Sequence, residues 1–221
     1  MNERPFDALL TLFHDVSPYD GFDPDPYPED LQGWGSNHPI FQELIIETQP
    51  TLIIEVGSWK GASAIHMGDI VKEQGISAAI LCLDTWLGNV DHWYKKEWRG
   101  HLGLEHGYPT LYYQFLANVV RHGHFDTIIP FAQPSQQAVR WLQHIRLHSQ
   151  LIYIDGAHEA VPAFMDMREF WQITAPGGVM FGDDYNADTA PGVVQAVAEF
   201  SNHAGQSAQI VDNKWIFRKP K

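Results

Sequence analysis

The apolar positions of this chain follow two alternating patterns. Short, nearly continuous apolar runs predict strands buried on both faces, whereas longer segments with apolar residues three or four positions apart predict amphipathic helices. The first strand is predicted at 52–56 (LIIEV), and a helix follows at 62–71. Further strands are predicted at 78–84, 125–131, 151–155 and 179–182.

The alternation of strands and helices indicates an α/β fold, with a mostly parallel sheet covered by helices on both faces. The helix before the fifth strand is expected to end at Pro176-Gly177-Gly178. Two short apolar runs, 208–211 and 214–218, flank Asp212-Asn213 and form a hairpin signature. We therefore predict a doubly wound, Rossmann-like sheet of seven strands that ends in a C-terminal antiparallel hairpin.

Two segments do not follow this alternation of strands and helices. Residues 1–16 predict a short helix, and 17–30 contain four prolines and five acidic residues, which predicts an extended loop. We therefore assign 1–32 to an N-terminal helix and acidic arm, and 33–221 to the main domain. Residues 85–115 are rich in Trp and Tyr and follow the second strand, so we expect an insertion that shapes a substrate pocket. The alternative is a surface decoration that packs its aromatic rings on the domain.

The stretch 51–63 (TLIIEVGSWKGAS) carries the main functional signal. A strand, a glycine loop and a helix in this order bring backbone N–H groups and a helix N-terminus to a polar ligand. Trp59 stands where a dinucleotide-binding loop has the glycine that admits a pyrophosphate, so a different nucleoside-bearing cofactor is favoured. Glu55 in the strand must be satisfied by loop N–H groups or by a cationic ligand.

The sequence E-V-G-S-W-K-G-A-S resembles the first motif of the class I S-adenosylmethionine-dependent methyltransferases, in the branch that includes small-molecule and sugar O-methyltransferases. It departs from the commonest form of that motif at Trp59. The resemblance spans about residues 33–221 and implies S-adenosylmethionine as the cofactor. The implied cofactor-binding residues are Glu55, Gly57, Ser58, Trp59, Gly61, Ser63, Asp84, Trp86, Ser135 and Asp155.

Asp84 is the clearest of these residues from its position alone. It ends the second strand, where nucleotide-binding α/β folds place a carboxylate that accepts hydrogen bonds from the ribose hydroxyls. The alternative is that Asp84 caps the segment that follows.

Three further carboxylates end neighbouring predicted strands. Asp155 ends the fourth strand, and Asp183 and Asp184 end the fifth. Adjacent strands lie about 5 Å apart, so these side chains should converge and repel one another unless a cation is present. Oxygen ligands suit Mg²⁺, with Ca²⁺ or Mn²⁺ as other divalent ions. The cluster resembles the metal site of catechol and of macrolide and aminocoumarin sugar O-methyltransferases. The alternative is that Asp183 or Asp184 caps a turn and Asp155 contacts the cofactor.

His158 follows Asp155 by three residues and should face the same cleft, where a neutral imidazole can remove a proton from a hydroxyl. The alternative is a capping role. With His158 and Asp155 as catalytic residues, we predict an enzyme that carries out metal-assisted O-methylation of a sugar or phenolic diol. Three other interpretations stay open: a non-methylating, hydroxylase-like cofactor binder, an NAD-dependent oxidoreductase and a sugar-nucleotide transferase.

Composition narrows the class of partner. The 14 Lys and Arg residues against 27 Asp and Glu residues give a formal charge of −13, which disfavours nucleic acid. Cys82 is the single cysteine and predicts a buried, reduced thiol. No signal peptide is expected, and no apolar run approaches the ~20 residues of a membrane span. We therefore expect a cytoplasmic enzyme that acts on a small molecule, and the sequence leaves a homo-oligomer open.

Overall fold

The computed structural model describes residues 4–221, so residues 1–3 of the predicted N-terminal helix lie outside the described residues. The strands are β1 (Leu52–Val56), β2 (Ala79–Asp84), β3 (Leu104–Glu105), β4 (Tyr108–Pro109), β5 (Ile128–Ala132), β6 (Ser149–Ile154), β7 (Thr174–Gly182), β8 (Gln209–Val211) and β9 (Lys214–Arg218). The α-helices are α1 (Pro5–Phe13), α2 (Ile40–Thr48), α3 (Ala62–Glu73), α4 (Val90–Tyr94), α5 (Lys96–Arg99), α6 (Leu111–Arg121), α7 (Ser135–His144), α8 (Ala160–Ile173) and α9 (Pro191–Ala204), with a 3-10 turn at Gly100–Leu102.

The main sheet has seven strands in the order β5-β2-β1-β6-β7-β9-β8. Strands β5, β2, β1, β6 and β7 pair in parallel, and β9 runs antiparallel to both of its neighbours. The predicted fold class and the C-terminal hairpin are confirmed. Strand β1 lies between β2 and β6 and runs parallel to both. The carboxyl ends of these strands, which carry candidate site residues, therefore meet at one edge of the sheet.

Two apolar layers cover the sheet. One contains the buried faces of α2, α3 and α6, and the other contains those of α1, α7, α8 and α9. In the first layer, the Phe41 ring lies edge-on to the rings of Tyr153 and Phe181, with centroids 4.9 and 5.3 Å away. In the second, the Phe200 and Phe217 rings meet edge-on at 4.9 Å. The short apolar runs of the strands are therefore buried on both faces, as their pattern predicts.

Two predicted boundaries were wrong. Pro176-Gly177-Gly178 does not end a helix: α8 ends at Ile173, and the Pro-Gly-Gly segment lies inside β7. The chain beyond β9 pairs with this segment, since the Gly177 amide donates to the Lys219 carbonyl and the Lys219 amide donates to the Gly178 carbonyl. The strand predicted at 125–131 begins only at Ile128, because the preceding residues form a turn closed by bonds to the His124 carbonyl.

The acidic arm is irregular and rests on α6. The Asn118 side chain donates to the Asp30 carbonyl at 2.8 Å, and the Gln114 side chain donates to the Pro28 carbonyl at 2.8 Å. The insertion after β2 contains α4, α5, the 3-10 turn and the β3–β4 pair, and its last residues begin α6. Among residues 4–221, no helix combines the length and the apolar character that crossing a bilayer requires.

We expect Phe200→Ala to lower the free energy of unfolding by about 3–5 kcal/mol, because the fully buried ring leaves a cavity between α9 and the sheet. Denaturant unfolding measures this loss. The control is Val161→Ala, whose side chain is 72% exposed and whose change should stay within about 0.5 kcal/mol. Equal losses in both variants would contradict the location of this core.

Candidate active site

The carboxyl edge of the sheet brings the glycine loop next to the end of β6. The Gly57 amide donates to the Leu83 carbonyl at 2.8 Å, and the Asp155 amide donates to the Val56 carbonyl at 2.8 Å. Gly57 has φ +84°, and a Cβ there would lie 2.1 Å from the Asp155 carbonyl oxygen. Only glycine fits this position, because the loop leaves β1 in the left-handed region and in contact with β6.

Asp84 holds the glycine loop from the side. Its Oδ2 accepts hydrogen bonds from the amides of Ser58 and Trp59 at 3.0 and 2.9 Å, and its Oδ1 accepts one from the Trp86 amide at 2.7 Å. Burial raises the pKa of Asp84, whereas these hydrogen bonds favour its ionised form. Its side chain is part-exposed at the end of β2. The ribose role stays a prediction.

Glu55 lies beneath the glycine loop and is fully buried. Ser63 Oγ donates to its Oε1 at 2.5 Å, and Cys82 Sγ lies 3.4 Å from its Oε2. Burial raises the pKa of Glu55. Glu55 and Ser63 therefore connect β1 to the start of α3 from inside the core. Trp86 is likewise buried, and its indole N–H donates to the Trp59 carbonyl at 2.8 Å.

Ser135 meets a carboxylate that the sequence analysis missed. Ser135 Oγ and Gln136 Nε2 both donate to Asp166 Oδ1 at 2.7 Å. Asp166 is a buried residue of α8, and burial raises its pKa. The sequence feature that could have identified Asp166 is its place on the apolar face of a helix, because an isolated charge would be costly there.

Asp183 is paired with a lysine that the sequence analysis also missed. The Lys214 ammonium at the start of β9 bonds to Asp183 Oδ2, and both side chains are almost fully buried. Asn213 Nδ2 donates to Asp183 Oδ1 at 2.5 Å, and Lys214 also donates to the Gly35 carbonyl at 3.2 Å. The sequence pattern predicts only that Lys214 begins the second strand of the hairpin.

Asp184 is paired with His158. His158 Nε2 lies 2.9 Å from Asp184 Oδ2, and this hydrogen bond raises the pKa of His158 and lowers that of Asp184. One donor atom from each of Asp155, His158 and Asp184 falls within 4.8 Å of the other two. These residues line a cavity of about 10 Å³, which is close to the volume that one water-sized ligand requires.

Asp155 sits at the centre of the cluster. Burial, followed by the charges of Asp183 and Asp184, raises its pKa to about 7. The Tyr153 hydroxyl donates to Asp155 Oδ2 at 3.0 Å and lies 3.5 Å from Asp183 Oδ2. A carboxyl that titrates near neutral pH can take or give a proton under ordinary conditions.

An aromatic row from three parts of the chain stands beside the loop. The His92 ring lies 4.3 Å from the Trp59 ring and 5.4 Å from the Trp98 ring, and Trp98 stacks on Trp34 at 5.7 Å. His92 is buried, and its Nε2 has no hydrogen-bond partner in residues 4–221. Burial, followed by the charge of His101, lowers the pKa of His92, which favours the neutral form of its ring in this aromatic row.

Residues of the arm, the glycine loop and the insertion also line a half-open polar cavity of about 200 Å³. The buried Lys60 ammonium contributes to its lining and pairs with Asp30 at 2.5 Å. His101 and Gln114 line the same cavity. The insertion therefore forms a wall next to the glycine loop, although its role in binding a substrate stays a prediction.

Comparison with known proteins gives the family and the fold. A family model described as a methyltransferase domain matches residues 54–185, which is more than half of the chain. No curated protein matches. Among solved structures, the O-methyltransferase NovP has 12% identity and a TM-score of 0.64, over 84% of this chain and 80% of that chain. The O-methyltransferase TomG from Streptomyces achromogenes, solved with SAM, has 13% identity and a TM-score of 0.61, over 99% and 100%. CalS11, a TDP-rhamnose 3'-O-methyltransferase, has 14% identity and a TM-score of 0.52, over 95% and 98%.

We expect Asp184→Asn to lower the pKa of His158 in metal-free protein, because the hydrogen bond to the ionised carboxylate is what raises it. A raised folded-state pKa contributes stability that is complete below the ordinary value of 6.5 and is lost as the pH rises through the folded value. The stability difference between wild type and Asp184→Asn should therefore be largest near pH 6 and shrink above it.

NMR titration of His158 and denaturant unfolding at several pH values, both in EDTA, measure these effects. Asp188→Asn is the control, since Asp188 is an exposed carboxylate of the same loop. An unchanged His158 pKa in Asp184→Asn would contradict the pairing.

Proposed function

The chain belongs to the methyltransferase domain family, and from that premise we propose that it transfers a methyl group from S-adenosylmethionine to a hydroxyl oxygen of a small molecule. The observation that carries this proposal is the grouping of Asp155, His158 and Asp184 beside the glycine loop at the carboxyl edge of the sheet. That edge is where ligands bind in open α/β sheets.

The residues that would hold the cofactor lie at and around the glycine loop. Gly57 and Gly61 shape the loop with positive φ angles, and Asp84 keeps that loop against the end of β2. Asp84 is part-exposed at the end of β2, where nucleotide-binding α/β folds place the carboxylate that meets the ribose, which supports a nucleoside-bearing ligand. When bound, S-adenosylmethionine supplies an electrophilic methyl group. Trp59 stacks against the insertion instead of leaving room for a pyrophosphate, which favours this cofactor over a dinucleotide.

His158 is the proposed proton acceptor. Its ring is half-exposed toward the cavity and is held by Asp184, which orients the imidazole and stabilises the imidazolium that forms when it takes a proton. Asp155 is the second candidate, since its pKa of about 7 lets it exchange a proton near neutral pH. Displacement at a methyl group requires an oxygen nucleophile that is close to the methyl carbon and aligned with it. In our proposal these side chains position the acceptor hydroxyl for that attack.

A divalent metal ion, Mg²⁺ in our proposal, fits the donor chemistry of this site. Asp155 and Asp184 offer carboxylate oxygens within the 4.8 Å span, and both line a cavity of about 10 Å³. Such an ion supplies Lewis acidity, which lowers the pKa of a coordinated hydroxyl. Asp183 belongs to the ligand set that the sequence predicts, and its side chain is bonded to Lys214 and Asn213.

The proposed acceptor is a vicinal diol on a sugar or a phenol. The aromatic row of Trp59, His92, Trp98 and Trp34 offers ring faces, and the nearby cavity of about 200 Å³ offers polar groups. Binding sites that combine apolar walls with a few polar groups suit such ligands. The sugar O-methyltransferase CalS11 shares the fold, which supports a sugar as the first class to test.

We expect wild-type protein to bind S-adenosylhomocysteine with micromolar affinity in isothermal titration calorimetry and not to bind NADH. Asp84→Asn should weaken this binding by at least about tenfold, because it removes one charged acceptor from the loop and the ribose position. Asp188→Asn is the matched control and should not change it. Absence of S-adenosylhomocysteine binding under every condition would contradict the proposal.

We expect His158→Gln to lower kcat by about 10²–10⁴-fold, which is the usual loss when a general base is removed. Mass spectrometry of a diol acceptor detects the product, and S-adenosylhomocysteine affinity should stay unchanged. The control is His148→Gln, an exposed residue just before β6 at the opposite edge of the sheet. Cofactor binding by wild type without methylation of any sugar or phenolic diol would point instead to a non-methylating binder.

A further inference from the structure

A buried lysine enters the acidic cluster from the C-terminal hairpin. The Lys214 side chain is 0% exposed and that of Asp183 is 4% exposed. Burying one charge is costly, and a buried charge is retained when an opposite charge and hydrogen bonds compensate it. Lys214 therefore already provides a cation to the carboxylates that end β6 and β7.

The contacts of Asp183 use both of its oxygens. Oδ2 bonds to the Lys214 ammonium, and Oδ1 accepts from Asn213 Nδ2 at 2.5 Å and from the Asp184 amide at 2.7 Å. The segment before α2 covers the pair, because a Cβ on Gly35 would lie 2.9 Å from Asp183 Oδ2 and 3.0 Å from Lys214 Nζ. The His158 side chain, by contrast, is half-exposed.

The two sides of the cluster are connected but different. The Tyr153 hydroxyl lies between Asp155 and Asp183, 3.0 Å from an oxygen of the first and 3.5 Å from an oxygen of the second. Asp155 and Asp184 keep oxygens within the donor span they share with His158. Asp183 has no place in that group.

We propose that Lys214 is the resident cation of this cluster, which removes Asp183 from the metal-ligand set and leaves Asp155 and Asp184, beside His158, as the open donors. This inference rests on the metal assistance included in the proposed function. Its consequence is a site of two available negative charges next to a fixed positive charge. Lys214 is a positioning residue here, since it acts through Asp183 and through its charge on the neighbouring carboxylates.

The charge arrangement determines how tightly an ion binds. Two carboxylates neutralise a divalent ion, and the Lys214 ammonium offsets the charge of Asp183, so wild type should bind the ion weakly and reversibly. Removing the ammonium returns Asp183 to the cluster and adds attraction for a cation. Removing the ammonium and the Asp183 charge together keeps the net charge of the cluster unchanged.

The first experiment is isothermal titration calorimetry of Mg²⁺ and of Mn²⁺ into the purified, EDTA-treated chain. The double variant Lys214→Met with Asp183→Asn, which keeps the net charge of the cluster, should bind either ion within about threefold of wild type, whereas Asp184→Asn should lose at least about tenfold, because only the second variant removes an open donor. Equal losses in the double variant and in Asp184→Asn would overturn the inference.

The second experiment tests the ammonium itself. Lys214→Met should bind Mg²⁺ and Mn²⁺ at least about tenfold more tightly than wild type, because it removes the repelling charge and frees Asp183. Since this variant leaves a buried carboxylate unpaired, its thermal midpoint should fall. The double variant Lys214→Met with Asp183→Asn should recover most of that midpoint and return ion affinity to within about threefold of wild type. It keeps the test available if the single variant does not fold.

Calorimetry with S-adenosylhomocysteine on the same samples separates this inference from the proposed function. Retained cofactor binding shows that a variant is folded at the glycine loop. If wild type binds no divalent ion at millimolar concentration, the metal part of the proposed function fails. The inference then requires that Lys214→Met, or the uncharged variant Lys214→Gln, gain ion binding. Absence of that gain would overturn the inference even where cofactor binding is intact.

Discussion

Negative charge at the carboxyl edge of the sheet must be compensated, and the arrangement of the site depends on how this happens. Asp155, Asp183 and Asp184 meet there because β6 and β7 are neighbouring parallel strands. Each carboxylate has a different compensation: Lys214 for Asp183, His158 for Asp184, and a raised pKa of about 7 for Asp155. Three identical side chains thereby acquire three different chemical properties.

The segments outside the sheet complete this edge. The Gln32 side chain accepts a hydrogen bond from the Trp59 indole at 3.1 Å, Asp30 pairs with Lys60 at 2.5 Å, and the Gly35 carbonyl accepts from the buried ammonium of β9 at 3.2 Å. The acidic arm is thus bonded to the glycine loop, and the segment that follows the arm is bonded to the acidic cluster. A long loop with such contacts is part of the site's structure.

Carboxylate side chains support the glycine loop from inside the protein. Glu55 is identified in the sequence by its place in the motif, and the structure puts it under the loop with Ser63 and Cys82. Asp84 accepts hydrogen bonds from two loop amides. The conformation of the loop therefore depends on carboxylates at the ends of β1 and β2.

The sequence by itself determined the α/β class, the order of the elements and the edge where Gly57, Asp84 and Asp155 meet, because apolar periodicity and strand-end position are local properties of the chain. It misplaced the segment around Pro176, whose conformation depends on pairing with the C-terminal tail. Only the tertiary structure decided which carboxylate receives Lys214, since that contact joins residues far apart in the chain. Such pairings follow from packing and from the free energy of desolvating charge, and no local spacing encodes them.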